Sequence, residues 1–186
     1  LVGEIEDKVF EYLQTDKILI QSNIYLRASR PGVDTGSESI GWHRETFYGP
    51  NLQRCINCWT PVKGVNSENT LRFIPRSQLI PDNEISVEKV ASDDTQKFSS
   101  GHKLGFQYAP KKIRAGVDMD DPAKLLVQKG ASALFSGNLI HGAAVNNSNN
   151  IRFSVDLRLI RKADYGSENK RHHFSSSKPY FVEYQS

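Results

Sequence analysis

The chain has little cysteine: two residues in 186, Cys55 and Cys58. That number is too small for a disulfide framework, and a zinc site built on this C-x-x-C would need a second ligand pair. A redox pair favours a helix N-terminus. The segment RCINCW instead sits in a β-rich run, where a spacing of three puts the thiols on opposite faces. Structural thiols are the expectation, and unpaired cysteines fit a reducing compartment, so cytoplasm is the expected location. No apolar run approaches the roughly 18 residues of a membrane span, and no signal-peptide pattern is present. The chain opens on Leu1 rather than Met, so its start is not taken to be the natural N-terminus. There is no internal repeat. A net charge of only +3 gives no electrostatic case for nucleic acid. With 38 % apolar and 24 % charged residues, the composition is that of one soluble domain large enough to bury a core.

What is present concentrates in Asn138 to Ile160, which reads as a hairpin-like unit. An apolar run ends at His141, and a loop of Asn and Ser follows (Asn146 to Asn150). A strictly alternating strand then sets Ile151, Phe153, Val155, Leu157 and Leu159 on one face, with Arg152, Ser154, Asp156 and Arg158 on the other. Arg152 and Ser154 share a face and suit a small carboxylate. A surface salt bridge is the plainer role for Arg152. Upstream, His43 and Glu45 are two apart, so on extended backbone both project to one side. With His141 they make two imidazoles and one carboxylate, the composition of the facial triad that leaves open positions on non-haem Fe(II).

The remaining segments read mainly as short strands. Gly3 to Thr15 has helical spacing at Ile5, Val9, Tyr12 and Leu13. Lys17 to Ala28 alternates as one strand, with Ile18, Ile20, Ile24 and Leu26 opposite Gln21, Asn23, Tyr25 and Arg27. That polar face looks either into a wet cavity or into solvent. Gly49-Pro50 marks a turn before a strand from about Leu52 to Val62. There Asn57 and Trp59 share a face, and Asn57 either satisfies nearby backbone or reaches a cosubstrate. Thr70 to Ile74 is a strand closed by Pro75. The segment 81–121 lacks sustained periodicity and reads as an insertion or lid with an aromatic strip at Phe106 to Pro110. Lys124 to Gln128 and Ala131 to Phe135 read as strands. Residues 161–186 form a polar C-terminal extension whose adjacent His172 and His173 are read as surface residues. Many short strands with turn punctuation favour a sandwich or jelly roll.

The order H-x-E, distant His, then Arg eleven residues later resembles the Fe(II)/2-oxoglutarate-dependent oxygenases, most of all their phytanoyl-CoA dioxygenase-like branch. The matching stretches are WHRETFYG (Trp42 to Gly49), NTLRFIPRSQ (Asn69 to Gln78), VQKGASALFSGNLIHGAAVNNS (Val127 to Ser148) and IRFSVDLR (Ile151 to Arg158). The likeness runs from about Ile18 to Ile160, with no clear match between about Pro81 and Pro122. Two positions depart from the branch. Glu45 stands where most members have Asp, as in the clavaminate synthase-like relatives, and Gly130-Ala131 replaces a usual Gly-Asp.

The resemblance implies an all-β-dominated chain, a double-stranded β-helix (a jelly-roll, cupin-like barrel) over 17–160 with one or a few flanking helices. It implies that His43, Glu45 and His141 bind Fe(II), and that Arg152 pairs with the far carboxylate of 2-oxoglutarate, helped by Ser154 and Asn57. Dioxygen and 2-oxoglutarate would then be consumed, giving succinate, carbon dioxide and a hydroxylated small molecule. Glu45 speaks against halogenation, which needs a small residue there. Tyr25, Arg27, Arg76 and Arg158 are the candidate substrate contacts and suggest a polar or anionic small molecule. A cupin-like metal enzyme without 2-oxoglutarate would keep the three ligands and have no use for Arg152. A non-enzymatic jelly-roll binding module would need neither. No nucleic acid or membrane partner is expected, and the oligomeric state is open.

Overall fold

The computed structural model describes residues 5–32, 41–48, 52–89, 111–143, 145–165 and 179–185. The expected turn at Gly49-Pro50, the aromatic strip Phe106 to Pro110 and the pair His172 and His173 lie outside them. The described residues form one short helix and eleven antiparallel strands in three sheets, the jelly-roll class expected.

Helix α1 (Glu6–Leu13) ends at Gln14, whose left-handed backbone stops the helical ladder. Isolated helices this short are unstable in water, so packing must hold it. Val9 and Leu13, four apart, are buried against the sheet. Tyr12 does not join them, being 53 % exposed on the flank of the apolar stripe.

The large sheet is organised around the ten-residue strand β10 (Arg152–Arg161). One of its edges pairs with two short strands in succession, β1 (Ile18–Gln21) against Leu159 to Arg161 and β2 (Tyr25–Ser29) against Arg152 to Asp156. The segment expected as a single strand therefore breaks between Gln21 and Tyr25. Its apolar face is covered by α1 only at β1, whereas Ile24 and Leu26 are exposed. The other edge of β10 pairs with β3 (Ile56–Lys63), followed by β8 (Ala133–Ser136). Strand β11 (Phe181–Glu183) closes the far side on β1 and buries Phe181 with Leu19, Leu52, Cys55 and Ile160.

The small sheet orders as β7-β4-β9, with β4 (Leu71–Phe73) between β7 (Ala123–Lys124) and β9 (His141–Ala143). Strands β9 and β10 lie in different sheets. The Asn/Ser loop is thus a crossing between sheets, and the hairpin-like reading of Asn138 to Ile160 does not hold. Part of 81–121 is also regular: β5 (Ser86–Lys89) pairs with β6 (Lys111–Ala115), and Val87 and Ile113 pack beside Phe47, Ile74 and Ile140.

Both thiols are free and buried in separate clusters, Cys58 beneath α1 and Cys55 beside Leu52, which fits structural roles. Among the described residues no helix is long and apolar enough to cross a membrane.

Alternation along β10 holds, with an inversion of the usual sense. The polar residues Arg152, Ser154 and Arg158 face inward and are buried, while Ile151 is 44 % exposed. Only from Leu157 onward does the apolar face enter a core, where α1 meets Leu157 and Leu159. Leu159→Ala should cost about 2–5 kcal/mol, because a wholly buried aliphatic side chain would leave a cavity under α1. The midpoint of urea unfolding measures it.

Candidate metal centre and its cavity

His43 and His141 meet across a bridge between their backbones, each N–H donating to the other's carbonyl at 3.0 and 2.9 Å. Their ring centroids lie 4.4 Å apart. Extended backbone continues only to Arg44. Glu45 opens a 3-10 turn (Glu45–Phe47), so H-x-E is not a single strand. The carboxylate is still brought to the imidazoles, because the Glu45 N–H donates to the Gly137 carbonyl at 2.7 Å. Glycine is required there: a Cβ on Gly137 would stand 2.9 Å from that of Cys55. One donor atom from each of His43, Glu45 and His141 lies within 4.8 Å of the others, and all three residues are buried.

The ring nitrogens are prepared for a metal. A carbonyl can only accept, so the 2.7 Å contact from His43 Nδ1 to Gly41 O places the proton on Nδ1. The 2.9 Å contact from His141 Nδ1 to Leu139 O does the same. Each Nε2 therefore keeps a lone pair. Burial, with His141 adding to it, pushes the His43 pKa down to about 3, and burial also lowers that of His141. Both are neutral imidazoles, as metal ligands must be.

Glu45 is ionised. Burial opposes its charge, but Arg158, followed by His43 and His141, outweighs that and holds the pKa at about 2. The Arg158 guanidinium clamps both oxygens, Nε to Oε2 at 2.6 Å and Nη2 to Oε1 at 3.2 Å. Oε1, in the longer contact, lies 3.9 Å from His141 Nε2. A carboxylate offers about four lone-pair sites, so a bidentate clamp leaves it able to bind a metal.

These groups form the floor of a cavity of about 540 Å³, counted out through its mouth, between the two sheets. Arg152, Asn57 and Trp59 face it from the large sheet, and Leu71 and Gly142 from the small one. Arg152 is 2 % exposed, and its one described hydrogen bond runs from Nη1 to the Asn69 carbonyl at 2.7 Å. Among the described residues its Nε has no partner, nor do the buried Ser154 Oγ and Asn57 Nδ2. Burial, with the charge of Arg27 adding to it, lowers the Arg152 pKa to about 10, which leaves it cationic at neutral pH.

The four expected substrate contacts separate. Arg27 lines the cavity, paired with Asp156 through contacts of 2.6 and 3.2 Å, and its guanidinium stands 5.7 Å from the centre of the half-buried Tyr25 ring. Arg158 lines it too but is engaged with Glu45. Arg76 lies outside, exposed at a left-handed turn residue.

The phytanoyl-CoA dioxygenase (PhyH) family matches residues 4–154. The chain belongs to that family. No curated protein matches it. Among solved structures it is similar to the apo form of the non-heme monooxygenase ThoJ (17 % identity, TM-score 0.56), over 84 % of this chain and 51 % of that one. It is similar to EvdO2 from Micromonospora carbonacea var. aurantiaca complexed with 2-oxoglutarate (13 %, 0.60), over 84 % and 58 %. It is similar also to the epimerase SnoN in complex with Fe3+, alpha ketoglutarate and nogalamycin RO (12 %, 0.57), over 94 % and 64 %. At these identities the likeness is one of fold, and the chain spans about half to two thirds of each of these relatives.

Iron(II), 2-oxoglutarate and dioxygen are the cofactor and cosubstrates of the PhyH family. The donor set fits them: two neutral imidazoles and a carboxylate for the metal, and an incompletely satisfied buried guanidinium for a carboxylate.

Structure gives roles to residues that the sequence reading left without one. Ser77, of the Pro75-Arg76-Ser77 turn, accepts the Ile140 N–H on Oγ at 2.8 Å, and its carbonyl accepts Arg44 Nη2 at 2.5 Å. Arg44, 1 % exposed, also reaches Ile80 O and Asp82 Oδ1. The turn thus anchors Arg44, between His43 and Glu45, and Ile140, the residue before His141. Asn146 and Ser148 tie the sheet crossing to Ser29, Asn69 and Asn150. The run of Asn and Ser was the available signal for the loop; Ser77 lies in the family-like stretch Asn69 to Gln78, whose Pro-x-Ser turn marked the position without giving its role. Ser77→Ala would leave the Ile140 N–H buried without a partner, costing about 1–3 kcal/mol. Faster amide exchange at Ile140 and His141, with a lower unfolding midpoint, is the expected result.

Proposed function

We propose that this chain carries the active site of an iron(II)- and 2-oxoglutarate-dependent dioxygenase. The reaction proposed is hydroxylation of an unactivated C–H bond of a small molecule, with release of succinate and carbon dioxide. The observation that carries the reading is the meeting of His43, Glu45 and His141 on the floor of a cavity beside Arg152, a buried cation with no carboxylate partner among the described residues. Burying a lone guanidinium costs several kcal/mol, and an anionic ligand offsets that cost.

His43 and His141, through Nε2, and Glu45, through Oε1, are the residues that would hold the metal. Bound there, iron(II) with 2-oxoglutarate and dioxygen supplies an oxidant strong enough to break the C–H bond. Arg152 takes the distal carboxylate of the cosubstrate, which its planar fork suits better than a lysine would. The Ser154 hydroxyl and the Asn57 amide, both without a partner among the described residues, donate further hydrogen bonds. Glu45 fills the position that halogenation would need vacant. Trp59, Leu71 and Phe135 offer apolar wall to the substrate, and the Arg27–Asp156 pair offers polar contacts of balanced charge. Relatives in complex with 2-oxoglutarate, and with Fe3+ and alpha ketoglutarate, support the cosubstrate assignment.

Anaerobic addition of Fe(II) and 2-oxoglutarate should give a weak visible charge-transfer band, absent in His43→Ala through loss of iron. Arg152→Ala should bind iron and fail to develop the band at the same cosubstrate concentration. A full band in Arg152→Ala would remove 2-oxoglutarate and favour a cupin-like metal enzyme instead. Since one relative is an epimerase, the reaction outcome has its own measurement. Label from ¹⁸O₂ in the product is expected for hydroxylation, and an inverted, unlabelled centre would refute it.

A further inference from the structure

We propose that Arg158 is a positioning residue for the metal, a clamp that aims the Glu45 carboxylate at the imidazoles. The inference rests on the metal-site reading above and extends it to a residue outside the ligand set. Glutamate has one more rotatable bond than aspartate, so a glutamate ligand needs more restraint to hold a single orientation. A fork-to-fork guanidinium contact supplies that restraint, because two parallel hydrogen bonds fix the plane of the carboxylate as well as its place. Here the shorter bond, 2.6 Å, restrains Oε2, and the longer one, 3.2 Å, leaves Oε1 as the oxygen nearer His141.

The clamp is itself fixed from several sides. Nη1 of Arg158 donates to Gln21 Oε1 at 3.2 Å, on β1, and to Tyr180 Oη at 3.3 Å, just before β11. The guanidinium carbon stands 5.9 Å from the centre of the Tyr48 ring, whose edge contacts His43. A residue kept only for charge compensation would not need this number of directional contacts. The arrangement also leaves Arg158 engaged although it lines the cavity, since Nε, Nη1 and Nη2 all have protein acceptors.

Charge and aim can be separated by substitution. Anaerobic Co(II) titration of the full chain, followed by visible ligand-field absorption, reports affinity and coordination geometry without turnover. Arg158→Lys keeps the cation and loses the fork. It should bind Co(II) about 10–100-fold more weakly, with an altered absorption envelope. Leu159→Ala, on the opposite face of β10, is the control for general loosening and should keep the parent envelope. If Arg158→Lys does not fold, the Gln21→Leu/Tyr180→Phe double variant decides. It spares the guanidinium–carboxylate contact and frees only Nη1, and it should shift affinity and envelope in the same direction to a smaller degree. Parent affinity and envelope in Arg158→Lys, or in the double variant where that one decides, would overturn the proposal. A parent protein that binds Co(II) no better than His43→Ala would instead overturn the metal site itself.

Discussion

A carboxylate enclosed in protein beside two uncharged imidazoles is sustainable only if a cation is enclosed with it. Each buried ion costs several kcal/mol in lost hydration, and that cost is offset only by good geometry and further hydrogen bonds. Glu45 and Arg158 meet both conditions, and the remaining structure follows from placing them together. The guanidinium comes from the long central strand and the carboxylate from a turn 113 residues earlier. The strands on either side of β10 then supply what the pair still lacks. Without metal, the ion pair keeps the carboxylate charged. A metal bound there would share the same carboxylate with Arg158.

The inward face of β10 extends this logic along the strand. Arg158 answers Glu45, Asp156 answers Arg27, and Arg152 has a backbone carbonyl but, among the described residues, no carboxylate. Among the described residues three cations therefore share two anions around one cavity, and the excess lies where an anionic cosubstrate would complete the balance. The excess also bears on the substrate. With Arg27 and Arg158 both engaged, two of the expected cationic substrate contacts already have anionic partners inside the protein.

Alternation along Ile151 to Arg161 was the most informative feature of the sequence, and it told which residues share a face. It did not tell which strand lies alongside. A period of two is the same in a hairpin and in a strand that follows a crossing between sheets, which is why Asn138 to Ile160 reads as one unit and folds as two. Periodicity across the Gln21–Tyr25 break similarly joined β1 and β2, since three intervening residues do not interrupt an alternating pattern enough to be seen. Ser86–Lys89 and Lys111–Ala115 were too short and too polar to register as strands. The convergence of His43, Glu45 and His141 was legible because their spacing and residue types are restrictive. The role of Arg158 was not. Its charge and face are visible in the sequence, but the partner that defines it lies on another element. Tyr180 gave no signal, because a tyrosine in a polar tail looks the same whether it folds back or not.

The wide separation of the parts has a kinetic meaning. His43, Glu45 and His141, with the supporting groups at 21, 77, 158 and 180, are spread over most of the chain, so no short contiguous fragment brings them together. Closing such distant segments is entropically costly and slows folding in topologies of this kind. A metal held by donors this far apart could not template the early chain as zinc does in a finger. Folding has to bring the three side chains together before they can act as one site, so a metal would bind late.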